Sequence, residues 1–201
     1  MSKTAKALAF IEGRGGIARW SDLVGAGFSP GLIASMANQG KIDCETRGVY
    51  TLPDVIADEP EAITARWGRA VVSHGSALYL HGLSDRLPLS TDITVPREYN
   101  ASAITRAYPS IALHRCNKQV YPLGIQVVEG LAGAPVRVYD PARCVCDILA
   151  LRKRGEADVQ LLKDAVEGYL RSSECDLPKI ASYARALGVE DELQRYTEVL
   201  L

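Results

Sequence analysis

No stretch of this chain approaches the roughly eighteen apolar residues needed to cross a bilayer. Its first residues, MSKTAKALAFIEGRGG, lack the apolar core and small-residue cleavage site of a secretory leader. Both absences lead to the expectation of a cytoplasmic protein with no membrane partner. An excess of one charge is missing too: 23 Lys and Arg stand against 24 Asp and Glu, a formal net charge of −1. A near-neutral chain is not built for massive non-specific binding to nucleic acid, so any DNA contact must be local, selective and readily lost with salt. The five cysteines (Cys44, Cys116, Cys144, Cys146, Cys175) are an odd number without a secretion signal, which argues against a disulfide framework. Cys144 and Cys146 are too close for a C-x2-C metal knuckle, and on a helix they point apart. A zinc site with His74, His81 and His114 can be drawn only on paper, so the expectation is buried free thiols, no metal and no cofactor.

Catalytic motifs are equally scarce. An acidic-x-Lys triplet, which a restriction-type nuclease needs beside a further carboxylate to hold its metal, occurs nowhere in the chain. There is no P-loop, no H-E-x-x-H and no dinucleotide fingerprint. Ser73, His74, Ser76 and His81 cluster in sequence, but without a G-x-S-x-G elbow or an adjacent orienting acid. Helix capping by Ser73 and partial burial of the histidines are the simpler reading, and no enzyme is expected.

What is present is concentrated in Ser21–Pro53, SDLVGAGFSPGLIASMANQGKIDCETRGVYTLP. It reads as a short helix near Ser21–Gly25, a turn, a second helix and a hairpin, the layout of a winged helix-turn-helix. Ser29 is a good N-cap, Pro30 suits the first helical position, and Phe28 can staple onto Ile33. Gly40 stops the helix in the left-handed conformation. Leu32, Ile33 and Met36 share an inward face. Gly31, Ser35 and Asn38 share another, with Gln39 beside them; amide side chains pair with adenine and Ser with several bases. The β-prone runs IDCET and VYTL flank Arg47-Gly48, so Arg47 sits at a wing tip able to meet phosphate. The candidate DNA-binding residues are thus Ser29, Ser35, Asn38 and Gln39 for bases, and Arg19, Lys41 and Arg47 for phosphates. Solvated surface residues, or a protein–protein helix-turn-helix, fit the same pattern. Before this segment, KTAKALAFIEG has a helical period with Ala5, Leu8, Ala9 and Ile11 inward, and Trp20 is expected beneath the next helix.

The composition shifts near Ala57, where Pro60 interrupts. The expected division is therefore residues 1–56 for DNA and 57–201 for a second domain opening with a helix from Glu61. In that domain Ser73 is placed to cap a helix ending at Gly82. From Asp92 the period becomes two: DITVP, IALHR, GIQVV and APVRVYD read as about four strands of a small, largely antiparallel sheet, with Arg97 and Arg115 at or near strand ends. Asp140-Pro141 then opens a helix that finishes in Arg152-Lys153-Arg154, a cluster suited equally to the helix dipole and to a phosphate or acidic partner. Three amphipathic helices complete the chain, with Val159 among their inward positions. The fold class expected is α+β: a winged helix-turn-helix, then an α/β domain with a C-terminal group of helices.

The segments GGIARWSDLVGAGFSPGLIASMANQGKIDCETRGVYTLP, VVSHGSALYLHGLSD, ITVPR and VRVYDPARCVCDIL together resemble the AbiEi antitoxins of type IV toxin–antitoxin systems, in order and spacing over nearly the whole chain. One departure is Cys144, where the family often has threonine; Asp147 is retained. The resemblance implies a winged helix that represses the antitoxin–toxin operon by binding inverted repeats in its promoter. It also implies a C-terminal domain that counteracts a nucleotidyltransferase-like toxin, with or without a stable complex. The alternative is a plain transcriptional regulator whose second domain senses a ligand or a protein.

Overall fold

Ile17–Arg19, which reads in sequence as a lead into a helix, is instead a strand, β1. It follows helix α1 (Lys3–Glu12) and precedes α2 (Trp20–Gly25), α3 (Pro30–Asn38), β2 (Asp43–Thr46), β3 (Val49–Thr51) and α4 (Glu59–Arg66). Strand β3 lies between β1 and β2 and pairs antiparallel with both. This is a computed structural model, and it describes residues 1–55 and 58–200; the boundary expected near Ala57 lies outside them. The chain divides into two units, Met1–Ala70 with Val127–Arg137, and Val71–Gln126 with Val138–Leu201. Helix α4, expected to open the second domain, belongs to the first unit. Pro60 does not interrupt it; it occupies the first turn of α4, where a missing N–H costs nothing.

The first unit's core gathers Ala7 and Ile11 of α1, Ala18 of β1, Leu23 of α2, Ile33 and Met36 of α3, and Ile42. Phe10 and Phe28 close its edge, ring edge to face at 5.8 Å. The inward stripe of α1 runs through Ala7 and Ile11, four residues apart, so Ala9 faces outward, contrary to expectation. Trp20 is also a correction: it begins α2 and is 42% exposed rather than packed beneath it. Residues 127–137 are tied to α4 by Glu61, whose buried Oε1 accepts from the N–H groups of Ala132 (2.9 Å) and Ala134 (3.2 Å). Burial pushes that carboxyl above its ordinary pKa.

The second unit runs through β4 (Val71–Val72), α5 (His74–Leu80), β5 (Asp92–Pro96), α6 (Ser102–Ala107) and β6 (Ala112–Cys116). The chain continues with β7 (Ile125–Glu129) and β8 (Pro135–Tyr139), of which Val127–Arg137 counts with the first unit, and then with α7 (Pro141–Lys153), α8 (Val159–Arg171), α9 (Leu177–Leu187) and α10 (Glu190–Leu200) of the second. The sheet order is β6-β5-β4-β8-β7. All four expected strands are present, but the sheet is mixed rather than largely antiparallel: β4 with β5 is antiparallel, whereas β5 with β6 and β4 with β8 are parallel. A parallel pair needs a crossover, and α6 supplies the one between β5 and β6. Helix α7 is the spine of this unit, buried on nearly every side. Val159 departs from its expected inward position and is 58% exposed at the start of α8. Among the described residues no helix is long and apolar enough to cross a membrane.

Candidate functional site

Two places concentrate polar side chains. The first is the outer surface of α3. Ser29 caps the helix, its Oγ accepting from the Leu32 N–H at 3.3 Å. Ile33 and Met36 anchor the helix in the core, while Gly31, Ala34 and Asn38 are exposed along one line at i, i+3 and i+7. Ser35, expected on that line, is half-buried and accepts from Gln39 Nε2 at 2.8 Å. That bond leaves the Ser35 O–H, and the Gln39 Oε1 and second N–H, free to meet a base edge. Lys41 and Arg47 are exposed, Arg47 in the β2–β3 turn, where Gly48 takes φ +84°. Arg19 stands apart: its guanidinium donates to the Thr64 carbonyl, and it lines a cleft with Arg14, Asp22 and Arg137. The structure thus gathers Ser29, Ser35, Asn38 and Gln39 on one helix and its caps, and commits Arg19 to backbone.

The second place is in the second unit. Ser73 precedes α5 but makes no side-chain cap. Its hydroxyl is fully buried, accepting from Thr94 Oγ1 at 2.8 Å and bonding His74 Nδ1 at 2.8 Å. His74 has φ +49°, a left-handed conformation rarely tolerated outside glycine and costing roughly 1–3 kcal/mol. Its ring lies on that of His114, centroids 3.7 Å apart and planes 23° from parallel. His114 Nε2 donates to Asp92 Oδ1 at 2.8 Å, and Asp92 Oδ2 accepts from the Ser76 N–H and hydroxyl. Burial, reinforced by His114, holds the His74 pKa well below the usual imidazole value, so the ring is neutral near pH 7. His81 lies apart from the pair, Nε2 donating to the Tyr139 carbonyl at 2.8 Å.

Sequence spacing gave no sign that Asp92 would orient His114. The arrangement still does not make a nucleophile, because Ser73 has no surface open to a substrate. Ligand atoms of His74, Asp92 and His114 lie within 4.8 Å of one another. A metal, however, must sit in the plane of each imidazole that binds it. Two rings stacked at 3.7 Å direct their in-plane lone pairs side by side, and Asp92 Oδ1 is already used by His114. The geometry favours a hydrogen-bonded stack over a metal centre.

That stack forms one wall of a cavity of about 480 Å³ whose lining includes Arg97, Arg115, Arg143 and Arg154, with Asp147 as the sole carboxylate. Arg143 is 1% exposed and fixed on every side. Its Nε donates to Asp147 Oδ1 at 2.9 Å, its Nη1 to the carbonyls of Val120 and Leu123, and its guanidinium lies 4.1 Å over the Tyr139 ring. Burial pulls the Arg143 pKa down, but Asp147, Tyr139 and Cys116 together outweigh it and hold the pKa up. Burial raises the Asp147 pKa against the opposing pull of Arg143. Cys144 and Cys146 are buried thiols, as expected, donating toward the carbonyls of Tyr139 and Ile180, whereas Cys116 and Cys175 are half-buried and Cys44 is exposed, contrary to expectation. Burial pushes both pKa values up, away from thiolate chemistry.

No family model matches the chain, and no curated protein matches it. Among solved structures, it is similar to the RV2827C protein from Mycobacterium tuberculosis, with 12% identity, 95% of this chain and 79% of that chain covered, and a TM-score of 0.43. A likeness of that size carries no argument about function.

Proposed function

We propose that the first unit is a winged helix-turn-helix that binds promoter DNA, and that the chain is an antitoxin of the type IV class. In this reading it represses its own operon and counteracts a nucleotidyltransferase-like toxin through its second unit. One observation carries the DNA part: α3 is anchored by Ile33 and Met36 and presents Gly31, Ala34 and Asn38 outward, followed by a hairpin with Arg47 in its turn. Small residues along an exposed helix face allow close approach to a groove floor, and an amide at its end can pair bidentately with adenine. The order α1-β1-α2-α3-β2-β3 with a β1-β3-β2 sheet supports the same reading. The antitoxin part rests on the sequence resemblance.

The test is a gel-shift series with full-length protein and the DNA upstream of its own gene. Asn38→Ala is expected to lose about 1–3 kcal/mol of sequence preference. Arg47→Ala is expected to weaken all sequences alike and to lower the salt slope by about one unit. Co-expression with a neighbouring nucleotidyltransferase-like toxin should restore growth, with the Arg47→Ala variant as well. Normal binding by both variants would remove this surface from the reading. Failed rescue by soluble protein would leave a plain regulator, the second reading, which the basic cavity favours because a sensing domain needs a ligand site.

A further inference from the structure

We infer that the arginine-lined cavity of the second unit binds the phosphate group of a small hydroxyl-bearing organic phosphate, a sugar phosphate or nucleotide. The inference holds whether the chain is an antitoxin or a plain regulator.

Charge is the first argument. Four guanidiniums converge on one cavity in a chain whose net charge is −1. Asp147 offsets Arg143, and Glu156 holds Arg154 with two contacts of 3.0 Å. Among the described residues, Arg97 and Arg115 have no carboxylate within ion-pair distance. Like charges so gathered repel one another, and an anion removes that cost.

Preorganisation is the second. The parallel register sets Val95 opposite Arg115 and Pro96 opposite Cys116, so Arg97 and Arg115 emerge at one end of the β5–β6 pair. Arg115 Nη1 is held by the carbonyls of Arg97 and Tyr99, at 2.8 and 2.9 Å, which fixes its planar fork before any ligand arrives. Fixed guanidinium forks match the several acceptor oxygens of a phosphate. The volume, about 480 Å³, is that of a small-molecule site.

Asp147 supplies the third argument and narrows the class. Its Oδ1 is taken by Arg143, while Oδ2 is buried with no hydrogen-bond partner. A buried, unpartnered acceptor among cations is costly to keep and is satisfied by a donor that the ligand brings. The dianion of a simple phosphate monoester such as methyl phosphate has no such donor; a sugar hydroxyl does.

Calorimetric titration of the full-length chain tests this with ribose 5-phosphate, adenosine monophosphate, methyl phosphate and inorganic phosphate. The two hydroxyl-bearing ligands should bind more tightly than methyl phosphate, and all four should raise Tm. Arg97→Glu and Arg115→Glu, both at exposed positions, should each weaken all four roughly tenfold or more. Asp147→Asn should weaken the two sugar-bearing ligands and leave methyl phosphate unchanged; should that variant not fold, the ribose 5-phosphate to methyl phosphate ratio in the unaltered chain answers the same question. Absence of heat with all four at about 10 mM, or unchanged binding in both arginine variants, overturns the site. Equal affinity for methyl phosphate and ribose 5-phosphate overturns the hydroxyl assignment. Displacement of the phosphates by a short DNA duplex would assign the cavity to a nucleic-acid surface instead.

Discussion

Helices α3 and α7 open in the same way and end up in opposite circumstances. Each starts with a capping side chain and a proline: Ser29 Oγ accepts from Leu32 N at 3.3 Å, and Asp140 Oδ1 from Arg143 N at 2.8 Å. Past the first turn they diverge. Helix α3 buries only Ile33 and Met36, whereas α7 buries ten of its thirteen residues. A helix with one buried stripe keeps side chains available for a partner. A helix buried all round has no bulk water to complete the polar groups it carries, and Asp147 Oδ2 is left without a partner. Arg143 and Asp147 are therefore informative where a surface Arg–Asp pair would not be, since charges are seldom retained in a core without a partner or a task.

The contrast can be broken most sharply at Arg143. Arg143→Ala leaves Asp147 uncompensated, takes the guanidinium donor from the Leu123 carbonyl, and leaves the Val120 carbonyl with only the Leu123 N–H at 3.2 Å. The expected loss is about 3–5 kcal/mol in urea unfolding, with exposed Asn38→Ala on α3 staying within about 0.5 kcal/mol. The double substitution Arg143→Met with Asp147→Leu should recover part of that loss, because it removes both charges together. A full loss persisting in the double variant would mean that the carbonyl contacts, not the ion pair, hold the site.

Next in size is the pair of caps. Ser29→Ala is expected to cost about 1 kcal/mol. Asp140→Ala should cost more, since its carboxylate also accepts from Lys179 Nζ at 2.7 Å and from the Tyr183 hydroxyl at 3.3 Å. Equal costs would show that burial adds nothing to a cap. The smallest effect near neutrality is that of pH. His74 takes its proton well below the ordinary value, so below about pH 6.5 the unfolded chain binds more protons than the folded one. This contribution to stability is complete above that value and is lost as pH falls. Tm should decline on acidification from about pH 7 to 5.5, and His74→Asn, which tolerates the left-handed backbone, should flatten the slope. Helix α3 has no titratable side chain and contributes nothing to this dependence.

The local signals in the sequence were reliable where a few adjacent residues settle the outcome. Ser29-Pro30 and Asp140-Pro141 each open a helix where expected, and Arg47-Gly48 turns the hairpin. Strand β1 escaped notice because three residues show no period; its pairing with β3 defines it. The parallel pairs β5–β6 and β4–β8 were equally invisible, since alternation reports a half-buried strand and says nothing about its neighbour's direction. The basic cavity was hidden for the same reason. Arg97, Arg115, Arg143 and Arg154 are scattered along the chain and meet only through a parallel register and the buried face of α7. Ser35 and Ala34 exchanged roles on α3, one residue of helical phase being finer than periodicity resolves.

The contacts of Glu61 with Ala132 and Ala134 bear on how the chain is made as well as how it is held. The first unit takes residues from both sides of Val71–Gln126, so it stays incomplete until Arg137 has left the ribosome. At roughly 5–20 residues per second the wait after Ala70 is on the order of 3–13 s. Through that interval the Glu61 carboxylate lacks its two N–H donors, and the nascent helix α4 waits for a turn not yet synthesised.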